Sequence, residues 1–186
     1  MPRVLIPLAT GFEELEAVTM IDLLRRAGIE VVTAGLESQP AVRAARGTVI
    51  VADTLLAEVQ DQTFDMVALP GGLPGADHLR DDPRIARLLS RHNLAGHFTA
   101  AICAAPKVLA AAGVLKNRTA TAYPGVLEAL ELSSTALSNA AVEVDGKVVT
   151  SRGPGTAMDF ALVLIELLVG AARRNEVEAA LCRDSR

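Results

Sequence analysis

The chain has 186 residues, of which 51% are hydrophobic, 22% charged and 3% aromatic, with a net charge of -4. That length favours a single domain over residues 1–186 built on one sizeable core, and the apolar share excludes a disordered chain. The lack of Trp and the excess of acids exclude both a surface that stacks nucleobases and an extended basic field, so nucleic acid is not an expected partner.

The opening "MPRVLIPLATGFEE" meets acids within a few residues, too soon for a signal-peptide core or a membrane span. "RVLIPL" (3–8) predicts a strand, residues 12–27 a helix closed by Gly28, and "IEVVTAG" (29–35) a buried parallel strand, together a βαβ unit. Further strands are expected at 48–52, 65–69 and 97–102, with an amphipathic helix over 84–93 that leaves His92 in solvent. "LPGG" (69–72) puts a tight turn at a strand's carboxyl end, where open α/β sheets build their sites.

After Cys103 a short helix near 105–112 ends at Gly113, and "AVEVDGKVVTSR" (141–152) predicts a hairpin around Asp145-Gly146. The apolar stretch 157–172 is interrupted by Asp159 and Glu166, which lipid would penalise, so it reads as one buried helix capped by Thr156. The alternation implies a three-layer α/β sandwich, a mainly parallel sheet with helices on both faces.

Two cysteines, Cys103 and Cys182, form neither a disulfide framework nor a C-x-x-C pair, so a reducing, cytoplasmic setting is expected, with no metal and no cofactor. In "AAICAAP" (100–106) Cys103 stands where a strand turns into a helix. A free cysteine there is either a small packed hydrophobe or a displayed nucleophile. Helix N–H groups favour thiolate, and Ala100, Ala101, Ala104 and Ala105 leave room for a tight turn.

Activation of a thiol needs a proton-transfer partner, and all three histidines precede Cys103. His97 starts the same strand, about 20 Å away at ~3.3 Å per residue, which leaves His78 as the one candidate imidazole. A carboxylate is the better choice: Glu13 and Glu16 fall in the apolar sector of the first helix. Glu13 also reads as a first-turn acid favoured by the dipole, whereas a buried Glu16 must be protonated or hydrogen-bonded. "TSRGPGT" (150–156) reads either as a structural turn or as an anion-receptive helix start beside Arg152. Tyr123 reads as a packed ring with its hydroxyl toward solvent.

The motifs "GFEELEAV", "LPGG", "AAICAAP" and "TSRGPGT", in this order and spacing, resemble the ThiJ/PfpI superfamily, in the branch of the parkinsonism-associated protein deglycase, over about residues 3–170. The resemblance implies a flavodoxin-like fold and a homodimer joined through the first helix and the strand near 48–52. It matches Cys103 to the family's reactive elbow cysteine and Glu16 to the protonated acid that holds the thiol's pKa low. Gly72 and Ala104 N–H groups match the oxyanion donors, and Gly71, Glu13, Tyr123, Arg46 and Arg152 match the site surroundings, Arg46 reaching across from the partner subunit.

Departures narrow the branch. Family proteases carry His directly after the cysteine and isonitrile hydratases use Asp with Cys-Thr, but here Ala104 follows Cys103 and Glu16 is not Asp. Tyr123 stands where the animal branch has a histidine. The expectation is a glutathione-independent glyoxalase or protein deglycase acting on small dicarbonyls through Cys103. The alternative is a redox-sensing stress protein or chaperone that works by oxidation of Cys103 to sulfinic acid.

Overall fold

The computed structural model of the chain describes residues 1–183. In chain order it runs β1 (Arg3–Leu8), α1 (Glu14–Arg26), β2 (Glu30–Gly35), β3 (Ala41–Arg43), β4 (Val49–Val51), β5 (Thr54–Leu55), α2 (Leu56–Val59) and β6 (Met66–Leu69). There follow α3 (Gly75–Asp81), α4 (Pro83–Leu94), β7 (Phe98–Ile102), α5 (Pro106–Ala111), β8 (Thr119–Ala120) and β9 (Ala136–Leu137). Last come β10 (Val142–Asp145), β11 (Val148–Ser151), a 3-10 turn (Pro154–Thr156), α6 (Ala157–Val169) and α7 (Ala171–Ala180).

Seven strands form the central sheet in the order β10-β11-β7-β6-β1-β2-β5, parallel throughout except for the β10–β11 hairpin. Alternation along β1 explains the two covering layers. Val4, Ile6 and Leu8 enter one apolar cluster with Met20, Leu24, Phe160 and Ile165 of α1 and α6. Leu5 enters the other, with Leu79, Leu88 and Leu109 of α3, α4 and α5. Burying one such Leu contributes about 2 kcal/mol. The result is the expected flavodoxin-like α/β sandwich, with helices on both faces of a mostly parallel sheet.

The layer holding α1 is secured from the far end of the chain. α6 packs on both α1 and α7. From α7, the Arg173 guanidinium donates to the carbonyls of Ala27 (3.1 Å) and Arg26 (2.7 Å), carbonyls that the end of α1 leaves unpaired.

Four details depart from the sequence reading. The strand near 48–52 forms, but β4 leaves the central sheet and pairs antiparallel with β3, because a period of two does not distinguish a side hairpin from a central strand. The apolar stretch 157–172 breaks at Gly170, whose φ of 89° ends α6, and α7 follows as a separate helix. Thr156 does not cap α6: its hydroxyl turns back to the Gly153 carbonyl (2.9 Å), so the 3-10 turn uses the group the helix would have taken. His92 is buried, not solvated, because Ile85, Leu88, Leu89 and His92 share the inward face of α4. Its Nδ1 lies 3.1 Å from the Leu88 carbonyl and Nε2 has no partner among the described residues. Burial holds the imidazole below its usual pKa, and His97 and Arg91 push the same way. Among the described residues, no helix is long and apolar enough to cross a membrane.

Candidate active site

The carboxyl ends of β6, β7 and β11 converge on one edge of the sheet, the edge where α/β folds expose chain ends to ligands. β7 ends at Ile102, and Cys103 follows in a left-handed conformation, φ 63°. For a residue with a side chain this costs about 1 kcal/mol, so it persists where neighbours hold it. Here the Cys103 N–H donates to the Ser151 carbonyl and its own carbonyl accepts from the Tyr123 N–H, both at 2.9 Å. Ser151 is fixed in turn, its hydroxyl bonding the Ala141 carbonyl and Thr156 Oγ1 at 2.7 Å each. The positive φ lifts a half-buried sulfur off the strand end.

The turn after β6 supplies the floor. At Gly71 a Cβ would lie 2.7 Å from Cys103 Cβ, 2.8 Å from Glu16 Oε2 and 2.9 Å from the Ala104 nitrogen, so only glycine lets these three meet. Gly72 needs its φ of 88° and packs directly on the backbone that opens α1. That backbone is tied down by the Glu13 N–H, which donates to the Gly71 carbonyl at 2.9 Å.

Glu16, fully buried on the first turns of α1, accepts from the Gly71 N–H through Oε2 at 2.8 Å. Its Oε1 has no hydrogen-bond partner among the described residues. Burial raises the carboxyl to about 7, against the Gly71 N–H and Cys103, which pull it down, while Glu13 adds slightly to the rise. With Glu16 ionised, the Cys103 thiol is pushed up to about 12, first by burial and then by the charge and hydrogen bond of Glu16; the Ala104 and Gly72 N–H groups oppose. The expected thiolate-favouring helix end is thus weaker than supposed: α5 begins only at Pro106 and is six residues long, so the sulfur faces local N–H groups rather than a long dipole.

Other expected residues ring this centre at different distances. Arg46, its side chain 74% exposed, reaches Glu13 of the same chain at 3.9 Å, while its N–H binds the Glu14 carboxylate. Tyr123 lies against Gly153, and Arg152 borders the same cleft. His78 sits on α3 with Nδ1 3.1 Å from the Thr10 carbonyl, a loop contact rather than a partner for sulfur. His97 lies at the opposite end of β7 from Cys103. The Ser151–Thr156 brace was not foreseen; the only sequence signal for it is a hydroxyl on either side of "RGPG".

Residues 2–167 match the DJ-1/PfpI family model. The chain belongs to the DJ-1/PfpI family. It is 44% identical over 180 residues to protein DJ-1 homolog B of Arabidopsis thaliana, an alignment covering 96% of this chain and 41% of that protein, so the chain spans less than half of that relative's length. A crystal structure of Drosophila melanogaster DJ-1beta superposes with a TM-score of 0.94 at 40% identity, covering 99% of each chain. A Caenorhabditis elegans relative, 37% identical over 170 residues and covering 91% of this chain and 90% of its own, is named glutathione-independent glyoxalase DJR-1.2.

Proposed function

We propose that this chain is a cysteine-dependent, glutathione-independent glyoxalase that converts methylglyoxal or glyoxal to a hydroxy acid, with deglycase action as the same chemistry on early glycation adducts, from which the amine departs as the sulfur bonds to carbon. The observation that carries this reading is the meeting of Cys103, Glu16 and the Gly72 and Ala104 N–H groups at one strand edge. The name of the Caenorhabditis elegans relative supports it.

The one proton shared by Cys103 and Glu16 belongs on the acid. A charged carboxylate would keep one N–H, from Gly71, and leave buried Oε1 without a donor. A thiolate is met by the Ala104 and Gly72 N–H groups and by the proton of the Glu16 carboxyl. Both contributions of Glu16 that raise the thiol vanish once Glu16 is neutral, and the larger, softer sulfur is the less costly charge to bury.

In the reaction, the thiolate attacks the aldehyde carbon and a C–S bond forms. The carbonyl oxygen becomes an oxyanion stabilised by the Gly72 and Ala104 N–H groups and takes a proton from Glu16. Glu16, now a carboxylate, removes the proton from that carbon to give an enediolate and returns it to the neighbouring carbon, while the proton on the first oxygen passes to the second, so that the first becomes the thioester carbonyl and the second a hydroxyl. The product is a thioester of the hydroxy acid. Water then cleaves the C–S bond, releasing the hydroxy acid and restoring the sulfur, so the net change is addition of one water to the dicarbonyl. Gly71 lines the site, and Glu13 with Arg46 forms its outer wall.

Lactate formation from methylglyoxal by wild type, Cys103→Ala and Glu16→Gln tests this reading. Loss of at least a hundredfold is expected in each variant, and full activity in both sinks it.

Exposed Val18 on α1 and Val51 on β4, lining one depression with Ile21 and Ile50, support a homodimer through that face. A cytoplasmic setting is part of the same proposal, since the two cysteines form neither a disulfide framework nor a C-x-x-C pair. One observation also favours the redox alternative: the buried Glu16 carboxyl meets Cys103 and keeps Oε1 unpartnered among the described residues, so it has a free oxygen to share a proton with a sulfinic acid at Cys103. Mass spectrometry after mild peroxide distinguishes the two cysteines, and oxygen addition without preference for Cys103 over Cys182 rejects the sensor reading.

A further inference from the structure

A cleft of about 330 Å³ opens beside Cys103, lined by Tyr123, Pro124, Arg152, Gly153, Pro154 and Thr156, among others. Gly153 joins it to the sulfur: a Cβ there would lie 3.3 Å from Tyr123 Cδ2 and 4.0 Å from Cys103 Sγ. The volume falls within the range of pockets for drug-sized ligands, roughly 300–1,000 Å³. A dicarbonyl as small as methylglyoxal leaves most of it empty.

The sign of the lining is equally one-sided. Arg152 is its single charged residue, and no acid lines it. Arg152 is a half-buried residue and forms no ion pair among the described residues, although Arg118, in the same end of the fold, is matched to Asp145 at 2.9 Å. Glu128 borders the adjoining cleft on the other side of Arg152 without pairing to it. Arg46, the other arginine near the site, already faces Glu13. A half-buried cation without a counter-ion keeps its desolvation cost uncompensated until an anion arrives.

We propose that this cleft selects α-oxo aldehydes that carry an anionic group, a carboxylate or a phosphate, with Arg152 as its receptor and the Tyr123 ring as the opposing wall. The inference rests on the glyoxalase reading and names the substrate class for that same site. The aldehyde carbon sits at Sγ, and a chain of a few bonds passes Gly153 to place the anion on the guanidinium. Two parallel N–H donors suit either group. Arg152 makes no bond to the reacting atoms, so it acts on specificity.

The test compares an α-oxo aldehyde bearing a carboxylate two methylenes beyond the ketone with its methyl ester, which removes the charge and adds one methyl. Wild type should favour the acid about tenfold in kcat/KM through KM, the effect of one charge-assisted contact. Arg152→Gln should bring the ratio near one, and Arg152→Lys should restore part of it, which a merely structural role of Arg152 would not do. Inorganic phosphate should compete with the acid in wild type and lose that effect in Arg152→Gln. Equal use of acid and ester by a wild type that turns over methylglyoxal overturns this inference alone, as does a preference that survives in Arg152→Gln. No turnover of methylglyoxal removes the glyoxalase reading and this inference with it.

Discussion

Glu16 and Gly71 are joined by a 2.8 Å hydrogen bond between a fully buried carboxyl and a backbone N–H, while the other carboxyl oxygen has no partner among the described residues and the carboxyl as a whole meets the Cys103 side chain. This bond fixes the orientation of the Glu16 carboxyl, on which the proposed proton transfer and the pH dependence of stability both depend.

The first concerns thiol reactivity. If the shared proton rests on Glu16, alkylation of Cys103 by iodoacetamide should show a midpoint below the ordinary thiol value of 9.0, and Glu16→Leu, which removes the donor, should move it upward. A wild-type midpoint near 12, where burial and an ionised Glu16 would push it, would rule out the thiolate.

Stability should carry the mark of the same acid. Glu16 titrates at about 7 when folded against 4.5 when free, so the native state holds the proton longer than the unfolded chain. Its contribution is therefore full below about 4.5, declines as pH rises, and is gone above about 7. The full span is worth about 3 kcal/mol. Urea denaturation of wild type and Glu16→Gln across this interval should show the wild type losing ground to the variant as pH rises.

His92 works in the opposite sense. Its imidazole is held below the usual value by burial, so the unfolded state takes up the proton first and stability falls as pH drops below 6.5. His92→Leu should remove that acid sensitivity while keeping the inward face of α4 apolar. Persistence of the same low-pH loss in the variant would place its origin elsewhere.

Gly71→Ala tests the crowding at the floor. The new methyl would sit 2.7 Å from Cys103 Cβ and 2.8 Å from Glu16 Oε2, so either the elbow or the acid must move. The expected cost is about 1–3 kcal/mol in stability, together with loss of methylglyoxal turnover beyond what the stability change explains. Unchanged kinetics would show that the site tolerates a displacement of Glu16.

Much of this was legible in the sequence for stated reasons. β1, β2, β6, β7 and the β10–β11 hairpin were visible because short β-branched runs bounded by Gly and Asp-Gly leave few alternatives. Cys103 and Glu16 were found because each breaks a local rule, a reactive residue in an alanine run and an acid in an apolar sector. α3 and α7 escaped because their segments are polar and short, with no apolar period to announce them. His92 was misplaced because histidine carries no sign of which face it takes until Ile85, Leu88 and Leu89 are seen to share it. The titration of Cys103 depends on how deeply sulfur is covered and on which neighbour keeps a proton, quantities that arise only after the loops from β6, β7 and β11 close together.

Arg173 clasps the carbonyls at the tail of α1, thirteen residues of helix whose other extremity bears Glu16. Anything that severs or modifies the carboxy-terminal segment therefore bears on the neighbourhood of Cys103 from a distance, through α1 and through α6, which packs on both α1 and α7. Amide deuterium uptake along α1 is the quantity in which such remote damage would first be seen.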